Sequence, residues 1–174
     1  MKKIDFRTDV LPLKNQLFRL ALRITLNQAE AEDVVQDTML KLWNRRDDWD
    51  KLDSIEAFAL TVCRNIAVDK TRRSAIRQQV TDTAHDTTDY ADRSYTANPE
   101  ERTVQRDNIR LVRRLIDALP EKQRSVMQLR DIEGKSYRDI ADILNISEEQ
   151  VKVNIFRARQ TIKQRYIETD KYGL

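Results

Sequence analysis

The sequence predicts an all-α protein: two small helical domains joined by a flexible linker, the second containing a helix-turn-helix. Three observations carry this prediction. Turn formers are scarce, with two Gly and three Pro in 174 residues, too few to punctuate a fold of many short strands. Apolar residues recur at helical spacing on both sides of a central segment. That segment, running through Gln78-Gln79-Val80-Thr81-Asp82-Thr83, is rich in Thr and Asp, which are poor helix formers, and shows no 3.6-residue period. Residues 76–97 therefore read as an acidic linker between a domain at 5–75 and another at 98–172, each near the lower size limit for independent folding. Basic and acidic residues number 14 and 12 in residues 1–75, two and four in 76–97, and 16 and 13 in 98–174.

In the first domain, Leu13, Leu17, Leu20 and Ile24 line one face of a helix. Asn27, with Glu30 three residues on, has the form of a capping box and starts a second helix. Ala31, Val34, Val35, Thr38, Leu42 and Trp43 form its expected buried stripe. Asp47 to Asp53 lack periodicity and read as a loop. Ser54 is a suitable N-cap for a third helix, with Phe58, Val62, Ile66 and Ala59 as its core candidates.

The second domain opens with Asn98-Pro99-Glu100-Glu101, an N-cap followed by Pro at the first helical position. Val104, Ile109, Val112, Leu115 and Ile116 carry that helix to Leu119. Pro120 begins the next, with Val126, Met127 and Leu129 inward and Gly134 as its stop. Two helices follow, Ser136–Leu144 and Ser147–Tyr166, separated by Asn145 and Ile146, with Ser147 and Gln150 as another capping box. A short helix, a tight turn and a longer basic helix make a helix-turn-helix. Ile140, Ala141, Leu144, Ile146, Val151 and Ile155 fall where such a unit needs inward residues. Asn145 stands where Gly is commonest, and Asn tolerates the left-handed conformation that the turn requires.

The composition excludes several functions. The longest uncharged run is Ala57 to Cys63, far short of the roughly 20 residues that span a bilayer, and no apolar signal follows Met1-Lys2-Lys3. A soluble cytoplasmic protein without membrane insertion is expected. One cysteine and one histidine cannot build a zinc cluster, so no metal site is expected. No nucleophile–base pair or phosphate-cradling glycine loop suggests an enzyme, and no cofactor is implied. Cys63, on an apolar helix, reads as a small core residue.

Two surfaces stand out. Asp33, Gln36, Asp37, Leu40 and Asn44 line up opposite the buried stripe of the second helix, which fits either a solvated surface or a protein-binding stripe. Arg64, Lys70, Arg72, Arg73 and Arg77 form a basic cluster, and the preceding loop holds Trp49 beside Asp50, Lys51 and Asp53. Aromatic and basic groups together suit single-stranded DNA. Trp43 is the better candidate for a core anchor, and Trp49 is open. In the last helix, Lys152, Val153, Phe156, Arg157 and Gln160 lie on or beside the face opposite Val151, Ile155, Ala158 and Ile162. Such residues can enter a major groove, reaching phosphates, guanine edges or thymine methyls.

Ala31-Glu32-Asp33-Val34-Val35-Gln36-Asp37-Thr38-Met39-Leu40-Lys41-Leu42-Trp43 resembles the polymerase-binding helix of bacterial sigma factors. Ala57-Phe58-Ala59-Leu60-Thr61-Val62-Cys63-Arg64-Asn65-Ile66 is similar to the promoter-melting helix that follows it in the family. Leu119-Pro120-Glu121-Lys122-Gln123-Arg124, Tyr137-Arg138-Asp139-Ile140-Ala141 and Ile155-Phe156-Arg157-Ala158-Arg159 look like the fourth conserved region. The short chain resembles the extracytoplasmic-function (ECF) group. Phe58 stands where the family usually has Trp, and Val153-Asn154 replaces the commoner Ser-Arg pair.

The resemblance implies a dissociable promoter-specificity subunit of RNA polymerase. Asp33, Gln36, Asp37 and Leu40 would meet the core polymerase. Asp50, Lys51, Leu52, Asp53 and Ser54 would capture a flipped base of the −10 element, beside Arg64 and Asn65, while Lys70, Arg72 and Arg73 hold backbone phosphates. Lys152, Val153, Phe156, Arg157 and Gln160 would read the −35 element. It also implies an anti-sigma factor as partner and a monomer when free. Without the resemblance, a conventional helix-turn-helix regulator with a sensory first domain is the rival reading.

Overall fold

The computed structural model describes residues 3–78 and 99–172; the expected linker lies outside the described residues from 79 to 98. Asp5 starts the first turn, its Oδ1 accepting from the N–H groups of Arg7 (2.8 Å) and Thr8 (3.1 Å). A wide turn over Phe6–Val10 and a 3-10 turn over Leu11–Leu13 then deliver Val10 to the core and lead into α1, Lys14–Thr25. Leu17, Leu20, Ala21 and Ile24 are buried along α1 as its periodicity predicts. Leu26 closes it in a left-handed conformation, its N–H donating to Leu22 O at 2.9 Å.

The second helix, α2, spans Gln28–Asn44. Asn27 Oδ1 accepts from the Glu30 N–H at 3.0 Å, so the expected cap forms; the Glu30 carboxylate turns instead to the Ser74 hydroxyl, 2.6 Å away on the third helix. Ala31, Val34, Val35, Thr38 and Leu42 are buried as expected, with the Thr38 hydroxyl satisfied by Val34 O. Trp43 corrects the expectation. It is 45% exposed, while Trp49 is buried at 4%. The loop after α2 is a 3-10 turn over Arg46–Lys51 that folds Trp49 inward, where its ring stacks on Phe6 at 6.5 Å. Trp43 meets Phe6 edge-on at 5.4 Å and is covered by the Arg46 guanidinium at 4.6 Å.

The third helix, α3, runs Ile55–Gln78, continuing past the boundary expected at residue 75. Ser54 Oγ accepts from the Ala57 N–H at 3.1 Å, the expected cap. Its buried stripe is Ala59, Leu60, Cys63 and Ala67, whereas Phe58, Val62 and Ile66 are only half-buried. The shift has a cause: α3 packs on α1 and α2 along one side and on the second domain along another, so its apolar residues do not form a single stripe.

In the second domain α4 covers Pro99–Asp117, with Val104 and Ile109 exposed and Ile116 buried. Pro120 caps α5, Glu121–Met127, which unwinds through a wide turn over Gln128–Ile132. Gly134, at φ 70°, reverses the chain, and the Lys135 N–H returns to Leu129 O at 2.9 Å. Two more helices, α6 at Tyr137–Leu144 and α7 at Glu148–Tyr172, complete the fold.

The two domains pack directly, α5 on α1 and α6 on α3. At the centre lies Arg124, 9% exposed, its Nε donating to Arg23 O (2.8 Å), Nη2 to Ile24 O (3.2 Å) and Nη1 to Leu119 O (2.7 Å). The first two carbonyls belong to the last turn of α1, where no intrahelical partner exists and the helix dipole favours a cation. Around it, Arg19 makes a two-pronged bond to Glu133 (2.7 and 3.0 Å), and Arg23 reaches Asp117 (2.9 Å) and Gln128 (3.2 Å). Lys135 pairs with Glu56, which also accepts from Gln16 at 3.1 Å.

Two measurements test this packing. In urea denaturation, Trp49→Ala should destabilise by about 3–5 kcal/mol, the cost of emptying a buried aromatic site. Trp43→Ala should cost about 1 kcal/mol, the scale of an edge contact plus a cation–π pair. The Cys63 thiol, fully buried with Sγ 3.4 Å from Leu17 O, is pushed by burial from 9.0 up to about 12. The folded state therefore keeps a proton that the unfolded chain releases. Stability should be unaffected below pH 9 and then fall by up to about 1.4 kcal/mol per pH unit until pH 12. Comparison with Cys63→Ala, which lacks the titrating group, isolates this slope; parallel curves would overturn the assignment.

Candidate nucleic-acid interface

The helix-turn-helix is built by caps. Ser136 Oγ accepts from the Asp139 N–H at 3.1 Å and starts α6, whose Ile140, Ala141, Ile143 and Leu144 are buried. Asn145 takes the left-handed conformation (φ 53°, ψ 50°) that the turn requires, and the Ile146 N–H donates to Ala141 O at 3.0 Å. Ser147 and Gln150 form a reciprocal capping box, each side chain accepting from the other's N–H, at 3.1 and 3.0 Å. This fixes the rotation of α7 about its own axis. Val151, Ile155 and Ala158 face the core, and Lys152, Val153, Phe156, Arg157 and Gln160 are all exposed on the far side.

Phe156, 60% exposed between Lys152 and Arg157, is an unusual placement for an aromatic ring in water and fits a surface made for contact. The positive field extends sideways. Tyr137, at the start of α6, has the Arg130 guanidinium 4.4 Å and the Lys152 ammonium 5.9 Å from its ring centre. Arg159 differs from its neighbours: it bonds Asp131 through Nε (3.2 Å) and Nη2 (2.5 Å), an interaction that holds its pKa up and fastens α7 to the preceding turn.

On the first domain the outer stripe of α2 is presented as a continuous surface. Asp33 and Gln36 are exposed, Asp37 is partly so, and Leu40 is 62% exposed. The Lys70 ammonium of α3 sits 3.8 Å from both Asp33 Oδ2 and Asp37 Oδ2, so the stripe borders the basic cluster. Within that cluster Asn65, Arg72 and Arg73 are exposed, but Arg64 is not free: its side chain is 17% exposed and lies 3.9 Å from Glu121 of the second domain. Its Nε is buried without a hydrogen-bond partner. In the loop, Asp50, Lys51, Asp53 and Ser54 are exposed and Leu52 is half-buried. Lys51 bonds Asp48 at 2.9 Å, which draws the Asp48 carboxyl below its usual range and raises the lysine. Sequence reasoning missed the roles of Arg124, Arg19 and Glu133, because their partners lie about a hundred residues away.

Comparison with known proteins bears on these surfaces. The model of sigma-70 region 2 matches residues 10–77, and that of sigma-70 region 4 matches residues 109–162. The ECF RNA polymerase sigma factor SigL of Mycobacterium tuberculosis is 36% identical over 152 residues, covering 84% of this chain and 80% of that protein. The chain belongs to the ECF sigma factors. Another relative, the RNA polymerase sigma-H factor of Pseudomonas aeruginosa, is 31% identical over 167 residues, covering 92% of this chain and 85% of its own. The sigma factor RpoE of Bartonella quintana, solved in complex with the anti-sigma factor NepR, shares the fold at a TM-score of 0.77 and 23% identity, covering 92% of this chain and 95% of that one.

The candidate surfaces thus lie on regions 2 and 4 of a sigma factor. This sigma factor serves RNA polymerase in transcription initiation, recognising promoters through those two regions, and belongs to a family that is not enzymatic. Family membership also decides against a free-standing regulator with a sensory first domain.

Proposed function

We propose a division of that work among particular residues. The stripe Asp33, Gln36, Asp37 and Leu40 binds core polymerase; its support is two carboxylates, an amide and one apolar side chain displayed opposite a buried face. The loop Asp50, Lys51, Leu52, Asp53 and Ser54 holds an unpaired −10 base, with Arg64, Asn65, Lys70, Arg72 and Arg73 along the adjoining phosphates. Extruding a base costs a few kcal/mol, which contacts in such a pocket and a cationic groove can offset. Lys152, Val153, Phe156, Arg157 and Gln160 enter the −35 major groove. The observation that carries the reading is the last of these sets, whose five side chains are all turned outward by a capping box that leaves α7 one orientation.

Among the described residues no helix is long and apolar enough to cross a membrane, and a cytoplasmic protein, monomeric when free, fits a polymerase subunit. Two structural neighbours, RpoE with NepR and CnrH with the cytosolic domain of CnrY, were solved as complexes of a sigma factor or its like with a partner. On that ground we assign an anti-sigma factor to this chain as well.

Competition against a labelled housekeeping sigma factor for core polymerase tests the first assignment. Wild type should displace it, while the Asp33→Ala, Gln36→Ala, Asp37→Ala triple variant should compete at least about tenfold less well with an unchanged urea midpoint, a tenfold loss being about 1.4 kcal/mol. Normal competition by the triple variant would remove the stripe from the interface. For the −35 assignment, Arg157→Ala should flatten the slope of log affinity against log salt on promoter duplex by about 0.9, the share of one phosphate, if Arg157 neutralises the backbone. An unchanged slope with altered base preference would place Arg157 on a base edge instead.

A further inference from the structure

We propose that this sigma factor reads its −35 element through thymine methyl groups, with Val153 and Phe156 as the residues that select them. The inference rests on the assignment of α7 to the −35 major groove and names the base chemistry that such a face accepts. Taken round the helix at about 100° per residue, the outward side chains run in the order Lys152, Phe156, Gln160, Val153, Arg157. The two cations form the margins, and an aromatic ring, a carboxamide and an isopropyl group occupy the middle. Val153 is 44% exposed and Phe156 60%, so neither fills the core, which Val151, Ile155 and Ala158 occupy behind them.

Neighbouring polar groups leave the middle of the face to these two. The Lys152 ammonium leans sideways over the Tyr137 ring, 5.9 Å from its centre. The Asn154 amide is turned back along its own helix, Nδ2 donating to Gln150 O at 2.8 Å, and Arg159 is held by Asp131. The first two turns of α7, the part of a recognition helix that meets base edges, therefore present hydrocarbon at their centre. Every base pair shows hydrogen-bonding atoms on the floor of the major groove, and the one apolar group there is the C5 methyl of thymine. An apolar side chain over a guanine, cytosine or adenine edge covers polar atoms without pairing them, whereas over thymine it covers a methyl. Val153 and Phe156 stand about 4.5 Å apart along the helix axis, a little more than the roughly 3.4 Å step between base pairs, so they address neighbouring positions. Gln160, one turn further on, carries a carboxamide that matches an adenine edge. The three together fit an element bearing A·T pairs, with Lys152 and Arg157 nearer the phosphates on either wall.

The test removes a methyl group and keeps the rest of the base pair. Holoenzyme assembled from core polymerase and this chain selects duplexes from a pool randomised across the −35 and −10 positions. In a selected duplex each thymine of the upstream element, on either strand, is replaced singly by uracil, which retains every hydrogen-bonding atom. Binding should weaken about fourfold at two neighbouring positions, the worth of one covered methyl at each. Val153→Ala should abolish the effect at one of them and Phe156→Ala at the other. Both substitutions lie on the exposed face of α7 and introduce a strong helix former, and circular dichroism verifies that each variant is folded. A uracil penalty that persists in both variants would belong to duplex shape rather than to side-chain contact and would overturn the proposal. Upstream base preferences that uracil leaves unmoved would overturn it too, with the −35 assignment intact. A pool enriched at the −10 positions alone would overturn the −35 assignment together with the methyl reading, so the two failures are told apart.

Discussion

A guanidinium lodged against the open end of a helix is the contact on which the rest of this arrangement depends. The last carbonyls of α1 have no partners within the helix, and region 4 provides them through Arg124. Burial pushes the Arg124 pKa down, while Glu121 and Asp117 nearby pull it back, which favours the charged form in a largely buried setting. Removing one side of such an arrangement typically costs about 3–5 kcal/mol, because a buried charge or a pair of carbonyls is left uncompensated. With that point fixed, α5 lies on α1 and α6 lies on α3, and the apolar residues of both regions join one buried set. Two units near the lower size limit for folding thereby share a core.

The exposed face of α7 follows from a different kind of constraint. It is determined by what is buried behind it: Val151, Ile155 and Ala158 settle which way α7 turns, and the Ser147–Gln150 box settles where it begins. Lys152, Phe156 and Arg157 are exposed as a result, with Lys152 reaching over the Tyr137 ring. The Arg159–Asp131 bond shows the contrast, since the same basic helix uses one arginine to anchor itself and leaves its neighbours to face outward.

The parts legible in the sequence are those in which one helix buries one face. The faces of α1, α2 and α6, the Asn145 turn and the caps at Asn27, Ser54 and Ser147 all follow from local spacing. The face of α3 does not, because a helix packed on two sides carries apolar residues around much of its circumference and a single stripe cannot be read from it. Trp43, expected as a core anchor, stays exposed, while Trp49, which the sequence leaves open, is buried where its ring stacks on Phe6, some forty residues upstream. Nothing in the spacing of Arg64 announces that Glu121 will cover it. Such pairs are matters of tertiary placement, and neither partner's neighbourhood betrays them.

The far end of region 4 behaves differently from its centre. Ile162 still packs on the core, but Ile167 is exposed, as are Val104 and Ile109 on the facing helix α4, and a long 3.5 Å hydrogen bond joins Tyr166 to Asn108. Helix held chiefly by its own backbone bonds opens without disturbing the folded body, since little apolar area is lost when it does. Stability in region 4 should therefore be graded along α7, from a first half packed through Val151, Ile155 and Ala158 to a distal half with less apolar burial, and amide protection should decline along the helix in that order.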